Sequence, residues 1–332
     1  MDDQVVIAGD IGGTKTLLAL FAPGARAPQY EHRYDSHADA DFPSLLRRFL
    51  DDARGAVGTR PRVTRACFGI AGPVIDERVK VTNLPWEVDA RALERVFDIP
   101  RVRLLNDFAA AAYGIQALGG DDLVTVQAGE PIAGAPRVVL GAGTGLGVAY
   151  VLADGDGYRV IAGEGGHAAF APADDEQVEL WRHVHSAAGR VELEHVLSGS
   201  GLARVYEFLR AARRHPESAR VAREIADGDS AAAISRNAIE RNDPLASAAL
   251  DLFVSIYGAA AGDHALNVVA RGGVFIAGGI APKILARISA GGFLAAFTAK
   301  AEFAALARQM PVHVVTNEKL GLIGAAHCAA RL

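Results

Sequence analysis

The sequence predicts an α/β protein with two domains that repeat one core motif. Short apolar runs, typical of buried strands, alternate with longer stretches of helical periodicity. A pattern of strand, glycine-rich turn and strand also occurs twice. The chain has 332 residues, of which 50% are hydrophobic, so it is long and apolar enough to build two cores.

The first glycine-rich turn lies close to the N-terminus. Residues 5–8 predict a buried strand, residues 9–16 form the turn, and residues 17–21 predict the returning strand. Backbone N–H groups of such a turn can approach phosphate oxygens because no side chains intervene. Neither the P-loop pattern nor the dinucleotide fingerprint fits, since a strand follows the glycines. The predicted phosphate-binding residues of this turn are Gly12, Gly13, Thr14, Lys15 and Thr16.

The second turn repeats the first. Residues 138–140 predict a strand that leads into the glycine-rich residues 141–147, and residues 148–152 predict the return. A Gly-Thr pair stands at the matching place in both turns, which indicates an internal duplication. The predicted phosphate-binding residues here are Gly143, Thr144 and Gly145.

The remaining elements follow from periodicity and from breaks rich in glycine and proline. Further strands are predicted at residues 66–70, 102–105, 274–277 and 312–315, and helices at residues 42–56, 108–118 and 320–330. Residues 175–264 have a mostly helical pattern. The domain crossover is expected near residue 119, where a segment rich in Gly, Pro and Asp begins.

Charge and cysteine content argue against several classes of protein. A net charge of −5 gives no broad attraction to nucleic acid or to an anionic membrane. The two cysteines, Cys67 and Cys328, form neither a CxxC motif nor a disulfide framework, which fits a reducing cytoplasm. The acidic N-terminus does not resemble a signal peptide, and no run is expected to reach the length of a membrane-spanning helix.

Two aspartates stand at predicted strand ends. Asp10 follows the first strand, where its carboxylate could hold Mg²⁺ beside nucleotide phosphates or could merely bond the backbone of its own turn. Asp107 follows Asn106 at the end of another strand, where it could act as the base that phosphoryl transfer to an alcohol requires. The alternative for Asp107 is a helix N-cap, because an alanine-rich helix comes next.

A third polar group could recognise a sugar. Glu164 and His167 lie on one turn of small residues, and Glu194 follows further on. A ring of hydroxyls calls for several convergent donors and acceptors, which penalise ligands that lack those hydroxyls. For His167 alone, the alternative is a structural histidine whose hydrogen bonds are satisfied by the protein.

Together these segments resemble the glucokinase family of bacterial hexose kinases, within the actin-like (RNase H-like) ATPase superfamily. The matching segments are the two glycine turns (residues 9–16 and 141–147), the connecting segments (66–74 and 318–325), the catalytic stretch (105–108), the sugar segments (164–172 and 194–201) and the adenosine segment (277–282). Residue 200 is Ser where the family often has Pro. The sister group usually carries a zinc-binding cysteine cluster, whereas here no cysteine lies between Cys67 and Cys328, which favours the zinc-free branch.

The resemblance implies a specific reaction and domain arrangement. Residues 1–117 with 311–332 would form a small domain and residues 118–310 a large one, flanking a cleft. ATP and Mg²⁺ would lie across both turns, with Asp10 at the metal and the adenosine near Gly278 and Gly279. Asp107 would be the base that takes the proton of the glucose 6-hydroxyl. The residues implied to contact glucose are Asn106, Asp107, Glu164, His167 and Glu194.

Several alternatives stay open at this stage. The acceptor could be another hexose or an aminosugar, and the donor could be ADP or polyphosphate instead of ATP. A non-catalytic, sugar-responsive regulator of the same fold is also possible, although Asp107 and both turns argue against it. A homodimer is an expectation from the family.

Overall fold

The computed structural model describes residues 4–22, 25, 27–58, 62–155 and 157–332. The chain divides into two compact units: unit 1 comprises Met1–Gly119 and Asn317–Leu332, and unit 2 comprises Gly120–Thr316. Each unit has its own sheet and its own cluster of buried apolar side chains.

In the described residues the strands are β1 (Gln4–Ile11), β2 (Lys15–Phe21), β3 (Tyr30–Asp35), β4 (Arg62–Ile70), β5 (Arg78–Lys80), β6 (Glu87–Asp89), β7 (Val102–Asn106), β8 (Leu123–Gln127), β9 (Arg137–Ala142), β10 (Leu146–Asp154), β11 (Gly157–Gly163), β12 (Gly273–Ala277) and β13 (Val312–Val315). The helices are α1 (Phe42–Val57), α2 (Ala90–Phe97), α3 (Asp107–Gly114), α4 (Asp175–Ala188), α5 (Gly199–Ala211), α6 (Ala219–Ala226), α7 (Ser230–Glu240), α8 (Pro244–Val268), α9 (Leu285–Ile288), α10 (Gly292–Thr298), α11 (Ala304–Gln309) and α12 (Leu320–Ala329).

The two large sheets share one topology, which confirms the predicted duplication. Unit 1 has the strand order β3-β2-β1-β4-β7, and unit 2 has the order β11-β10-β9-β12-β13-β8. In both, an antiparallel hairpin (β1-β2 or β9-β10) is followed by strands parallel to its first member. The carboxyl ends of the parallel strands therefore share one edge of each sheet, where ligands of open α/β sheets bind.

Local sequence explains the helices that flank these sheets. In α1 the buried side chains Phe42, Leu45, Leu46, Phe49 and Ala53 recur at helical spacing. The helix begins where the Asp41 carboxylate accepts the Ser44 N–H at 2.8 Å, and it ends at Gly58, whose φ is +81°.

The second expected domain boundary requires correction. The sequence placed residues 311–332 in the small domain, but β13 pairs with β12 and β8 in the sheet of unit 2. The chain returns to unit 1 only at Asn317. The reason is that β13 extends the parallel row begun by β9 and β12, a long-range pairing that leaves no local signal.

The expectation about membrane-length runs was wrong. Helix α8 has 25 residues and an apolar window with a mean hydropathy of 1.5, which would suffice to cross a membrane by length and composition alone. However, 72% of that window is buried inside the protein. Buried residues occur on all faces of α8, as expected for the central helix of the unit 2 core.

Candidate active site

In unit 1, the candidate residues come from the ends of parallel strands. Asp10 is the second-last residue of β1, and Asn106 is the last residue of β7. Strand β4 lies between these two strands. Asp107 is the first residue of α3 and is exposed. The topology of the sheet thus brings both aspartates to one edge.

The cap of α3 is Asn106 and not Asp107, which corrects the alternative weighed for Asp107. The Asn106 Oδ1 accepts the N–H groups of Phe108 (2.9 Å) and Ala109 (3.2 Å), and its Nδ2 donates to the Gly72 carbonyl (3.3 Å). The Asp107 Oδ1 accepts the Phe108 N–H at 2.7 Å from within the helix. Because Asn106 provides the cap, the Asp107 carboxylate is not needed to start the helix.

Asp10 and Asp107 influence each other electrostatically. Asp10 lies deep among protein atoms, although part of its surface stays open. Burial and, to a smaller extent, the negative charge of Asp107 raise the pKa of Asp10 to about 6, against the opposing charge of Arg33. A divalent cation at Asp10 would offset both the burial cost and the repulsion.

The chemistry of these donors fits Mg²⁺ that is carried mainly by a nucleotide. Among the described residues, no group of three or more His, Cys, Asp or Glu side chains could hold a metal ion. Mg²⁺ usually takes one or two protein carboxylates and completes its octahedron with phosphates and waters. Asp10 can supply such a carboxylate, whereas a dedicated protein cage is not available in this part of the chain.

The first glycine turn is held by a short polar network. The Gly12 N–H donates to the Lys15 carbonyl at 3.0 Å, and the Thr14 carbonyl accepts the Ser36 N–H at 3.0 Å. Thr16 is fully buried and its hydroxyl bonds the Ser36 hydroxyl at 2.9 Å, while Ser36 also donates to the Gly12 carbonyl. Thr16 therefore supports the turn and is not available to a phosphate, contrary to the prediction. Thr14 and Lys15 remain exposed.

The second turn is tied to a carboxylate of the predicted sugar site. The Leu146 N–H donates to the Glu194 Oε2 at 2.8 Å. A Cβ on Gly145 would lie 2.6 Å from the same oxygen, so any larger residue there would displace the carboxylate. The Gly143 carbonyl accepts the Gly199 N–H at 2.8 Å, which joins the turn to the first turn of α5. Thr144 is exposed on this turn.

The other predicted sugar residues lie beside Glu194 in unit 2. His167 ends a single 3-10 turn, Gly165–His167, and its N–H donates to the Glu164 carbonyl at 3.0 Å. The His167 Nδ1 lies 2.8 Å from the Glu192 Oε2, a partner that sequence reasoning missed. This bond raises the pKa of His167, burial opposes the shift, and Glu194 and Glu164 add to it.

The predicted adenosine residues open onto a cavity of about 680 Å³ in unit 2. Gly279 lines it, together with both Gly143 and Thr144 of the second turn. Ile239, Ile280 and Ile284 supply apolar walls, a lining that suits a flat aromatic ring. Gly278 stands just before, with a φ of +83° beside the Ala142 carbonyl.

A buried tyrosine fixes the strand ends that precede both glycine segments of unit 2. The Tyr257 hydroxyl accepts the Ala142 N–H at 3.0 Å and lies 3.4 Å from the carbonyls of Leu140 and Ala277. Ala142 ends β9 and Ala277 ends β12. One side chain of α8 therefore holds the two strand ends from which residues 143–145 and 278–279 project.

Comparison with known proteins decides the family. The Glucokinase family model matches residues 7–332. A glucokinase from Synechocystis sp. is 42% identical over 346 residues, which cover 98% of each chain. The chain belongs to the glucokinase family.

Solved structures agree with this assignment. A glucokinase from an Antarctic psychrotroph has a TM-score of 0.86 and 30% identity, with 100% of each chain covered. A glucokinase from Balamuthia mandrillaris, in complex with glucose, has a TM-score of 0.78 at 22% identity over 98% of this chain and 93% of its own, which shows the fold alone. The predicted actin-like α/β fold is confirmed.

Each unit therefore gathers part of the predicted site. Unit 1 brings Asp10, Asn106 and Asp107 to one sheet edge, and unit 2 places Glu194 against the turn at residues 143–145. Sequence reasoning missed Ser36 and Glu192, which bond predicted residues directly, and Tyr257, which bonds the strand ends that precede predicted residues. A polar residue inside an apolar strand or helix, such as Tyr257 in α8, is the signal that could have drawn attention to it.

Proposed function

We propose that the chain is a glucokinase that transfers the γ-phosphoryl group of ATP to the 6-hydroxyl of glucose. Membership in the family and 42% identity to a relative named Glucokinase support this activity. The structural observation that carries it is the exposed Asp107 carboxylate beside Asp10, at a helix start that Asn106 already caps.

The chemical step requires a base, an acceptor oxygen and charge neutralisation. The Asp107 carboxylate takes the proton of the sugar hydroxyl as that oxygen forms a bond to the γ-phosphorus, and the bond from that phosphorus to the ADP oxygen breaks. A positioned base of this kind contributes roughly 10²–10⁴ in rate. The field of the helix start favours the ionised carboxylate, so positioning of the hydroxyl matters more than strong basicity.

The nucleotide uses both glycine turns. The backbone N–H groups of residues 13–14 and 144–145 are the proposed phosphate donors, since those of Gly12 and Gly143 bond carbonyls within their own turns. The apolar walls of the 680 Å³ cavity are proposed to receive the adenine. Asp10 would hold Mg²⁺ together with the phosphates, and the ion would supply charge neutralisation for the transferred group. Lys15 adds a cation near the first turn.

Each unit supplies proposed sugar-binding side chains. Glu164, His167 and Glu194 contribute acceptors and an imidazole, and Asn106 contributes the amide hydrogen that its cap and its bond to Gly72 leave unused. A bound ligand that covers these groups but lacks a matching hydroxyl would leave them unpaired, and is therefore rejected. We also propose that the enzyme works in the cytoplasm, where its two free thiols remain reduced.

An assay of sugar phosphate formation across sugars and donors tests the proposal, with ADP release followed in parallel when ATP is the donor. We expect ADP and glucose 6-phosphate with glucose and ATP, and much slower turnover with fructose, N-acetylmannosamine or polyphosphate. Faster turnover with another sugar would replace glucose as the substrate. Sugar-dependent DNA binding without ADP release would favour a regulator.

A further inference from the structure

The segment that precedes Glu194 pairs with the end of the predicted sugar loop. Glu192 lies opposite Ala169 in an isolated antiparallel bridge. The Leu193 N–H donates to the Ala168 carbonyl at 2.9 Å, and the Phe170 N–H donates to the Val191 carbonyl at 3.1 Å. Residues 168–170 and 191–193 therefore form a short ribbon that holds Glu192 beside His167.

The side chains of Glu192, in this ribbon, and of Arg190, just before it, make contacts at His167. The Glu192 Oε2 lies 2.8 Å from the His167 Nδ1, and the Glu192 Oε1 lies 3.3 Å from the Arg190 Nε. The Arg190 guanidinium also donates to the His167 carbonyl at 3.2 Å. Arg190 thus contacts both the carboxylate that bonds the ring and the main chain of the histidine.

The chemistry of a carboxylate sets the protonation pattern of the ring. An ionised carboxylate only accepts hydrogen bonds, so the His167 Nδ1 must carry a proton. Among the described residues, the other ring nitrogen, Nε2, has no hydrogen-bond partner. Nε2 is therefore the nitrogen that a ligand can engage.

The charged groups around the ring are mixed. The carboxylates of Glu164, Glu192 and Glu194 favour the imidazolium form of His167. The pKa of Glu192 is lowered by its bond to His167 and by the nearby charges of His195 and Arg190. Glu192 makes the largest contribution at His167 because it alone bonds the ring directly. Removal of its charge should therefore lower the pKa of His167.

We propose that Glu192 is a positioning residue for sugar binding, which fixes the His167 ring and its Nδ1 proton so that Nε2 meets a sugar hydroxyl. The inference rests on the proposed function, since it takes His167 as a sugar ligand. Glu192 itself does not touch the sugar. It acts in the way that outer partners orient metal-bound histidines through the second ring nitrogen.

Two variants at Glu192 test this role. Glu192→Gln keeps an acceptor for the Nδ1 proton but removes the charge, and Glu192→Ala removes both. We expect the KM for glucose to rise roughly threefold to tenfold in the Gln variant and further in the Ala variant. This is the loss expected when a hydrogen bond to a charged group is weakened at a partly exposed site. The kcat and the KM for ATP should stay unchanged. Glu179→Gln, which breaks an exposed pair with Arg214 in the same unit, is the matched control.

A measurement that does not depend on turnover completes the test. The imidazole titration of His167, followed by NMR of the ligand-free protein, should move to lower pH in Glu192→Gln and should stay in place in Glu179→Gln. The pH midpoint of kcat/KM for glucose assigned to His167 should move with it. A His167→Asn variant, which lacks the imidazole, assigns both the NMR titration and the pH midpoint of kcat/KM to His167.

The possible failures can be told apart. If wild-type protein forms no sugar phosphate, the proposed function fails, while NMR and direct glucose binding by calorimetry still decide the role of Glu192. An unchanged His167 titration in Glu192→Gln would overturn the inference. Equal increases in the KM values for glucose and ATP would overturn it as well, because they indicate general damage.

Discussion

The Glu194 carboxylate accepts the Leu146 N–H at 2.8 Å, directly beside Gly145. A residue expected to contact the sugar is therefore bonded to the turn expected to hold nucleotide phosphates. A displacement of the Glu194 carboxylate should therefore displace the turn at Gly145, and the reverse, because the two are in direct contact.

The first prediction concerns that close approach. Gly145→Ala would place a Cβ 2.6 Å from the Glu194 Oε2 and should displace the carboxylate. We expect glucose affinity, measured by calorimetry without nucleotide, to fall roughly tenfold, the loss for one hydrogen bond to a charged group. Gly143→Ala is the control, because a Cβ at Gly143 meets nothing within 4 Å. Equal glucose affinity in the two variants would show that Gly145 does not position Glu194.

The second prediction separates catalysis from capping at the start of α3. Asp107→Asn should lower kcat by roughly 10²–10⁴ without lowering the urea midpoint, because Asn106 supplies the cap and the change removes a repulsion with Asp10. Asn106→Ala should instead lower the free energy of unfolding by about 1 kcal/mol. Assays of turnover and of unfolding on both variants provide the check. Wild-type turnover in Asp107→Asn would remove Asp107 as the base.

The third prediction is a trade of stability against activity at Asp10. Because burial and Asp107 raise the pKa of this carboxyl to about 6, its ionised form destabilises the ligand-free protein near neutral pH. Asp10→Asn should stabilise that protein by up to roughly 3 kcal/mol and should abolish Mg²⁺-dependent turnover.

The sign of the pH dependence provides the check on Asp10. A carboxyl whose pKa is higher in the folded than in the unfolded state binds protons more tightly when folded, so stability falls as the pH rises through that range. The advantage of Asp10→Asn should therefore shrink as the pH drops from about 6 towards 4. An advantage that is constant with pH would contradict the burial argument.

The fourth prediction concerns the close packing of α12 against the Asp10 carboxylate. A Cβ on Gly321 would lie 3.0 Å from the Asp10 Oδ2, so Gly321→Ala should push on the carboxylate and raise the Mg²⁺ concentration needed for half-maximal turnover. Gly55→Ala in α1 is the matched control, since its Cβ meets nothing within 4 Å and the change should stabilise the helix by about 1 kcal/mol. The same Mg²⁺ dependence in both variants would argue against contact with Asp10.

Features with a local signal were predictable from the sequence. Both hairpins, the strand that ends at Asn106 and helix α1 depend on short apolar runs, glycine turns and helical spacing. The exposed strand β11 was missed because its residues show no apolar alternation. The unit of β13 was misplaced because its partners lie far away in the sequence.

For the site, too, local motifs were predictable from the sequence and long-range contacts were not. Motifs indicated Asp10, Asp107 and Glu194, but not which donor or acceptor of each residue is already in use. The burial of Thr16 depends on Ser36, 20 residues away, and the bond from His167 to Glu192 spans 25 residues. Such pairings arise from how distant segments pack together, which the sequence of one segment does not contain.

The bond from the Tyr257 hydroxyl to the Ala142 N–H has a consequence for protein engineering. Tyr257→Phe would look conservative on volume, yet it would leave a buried N–H without its acceptor at the root of the second turn. Libraries that repack the interior of α8 for thermal tolerance would thus disturb the second turn, the proposed phosphate-binding turn, without touching the surface. Any such library should hold this position constant, and a natural chain that replaces the tyrosine must find a substitute acceptor.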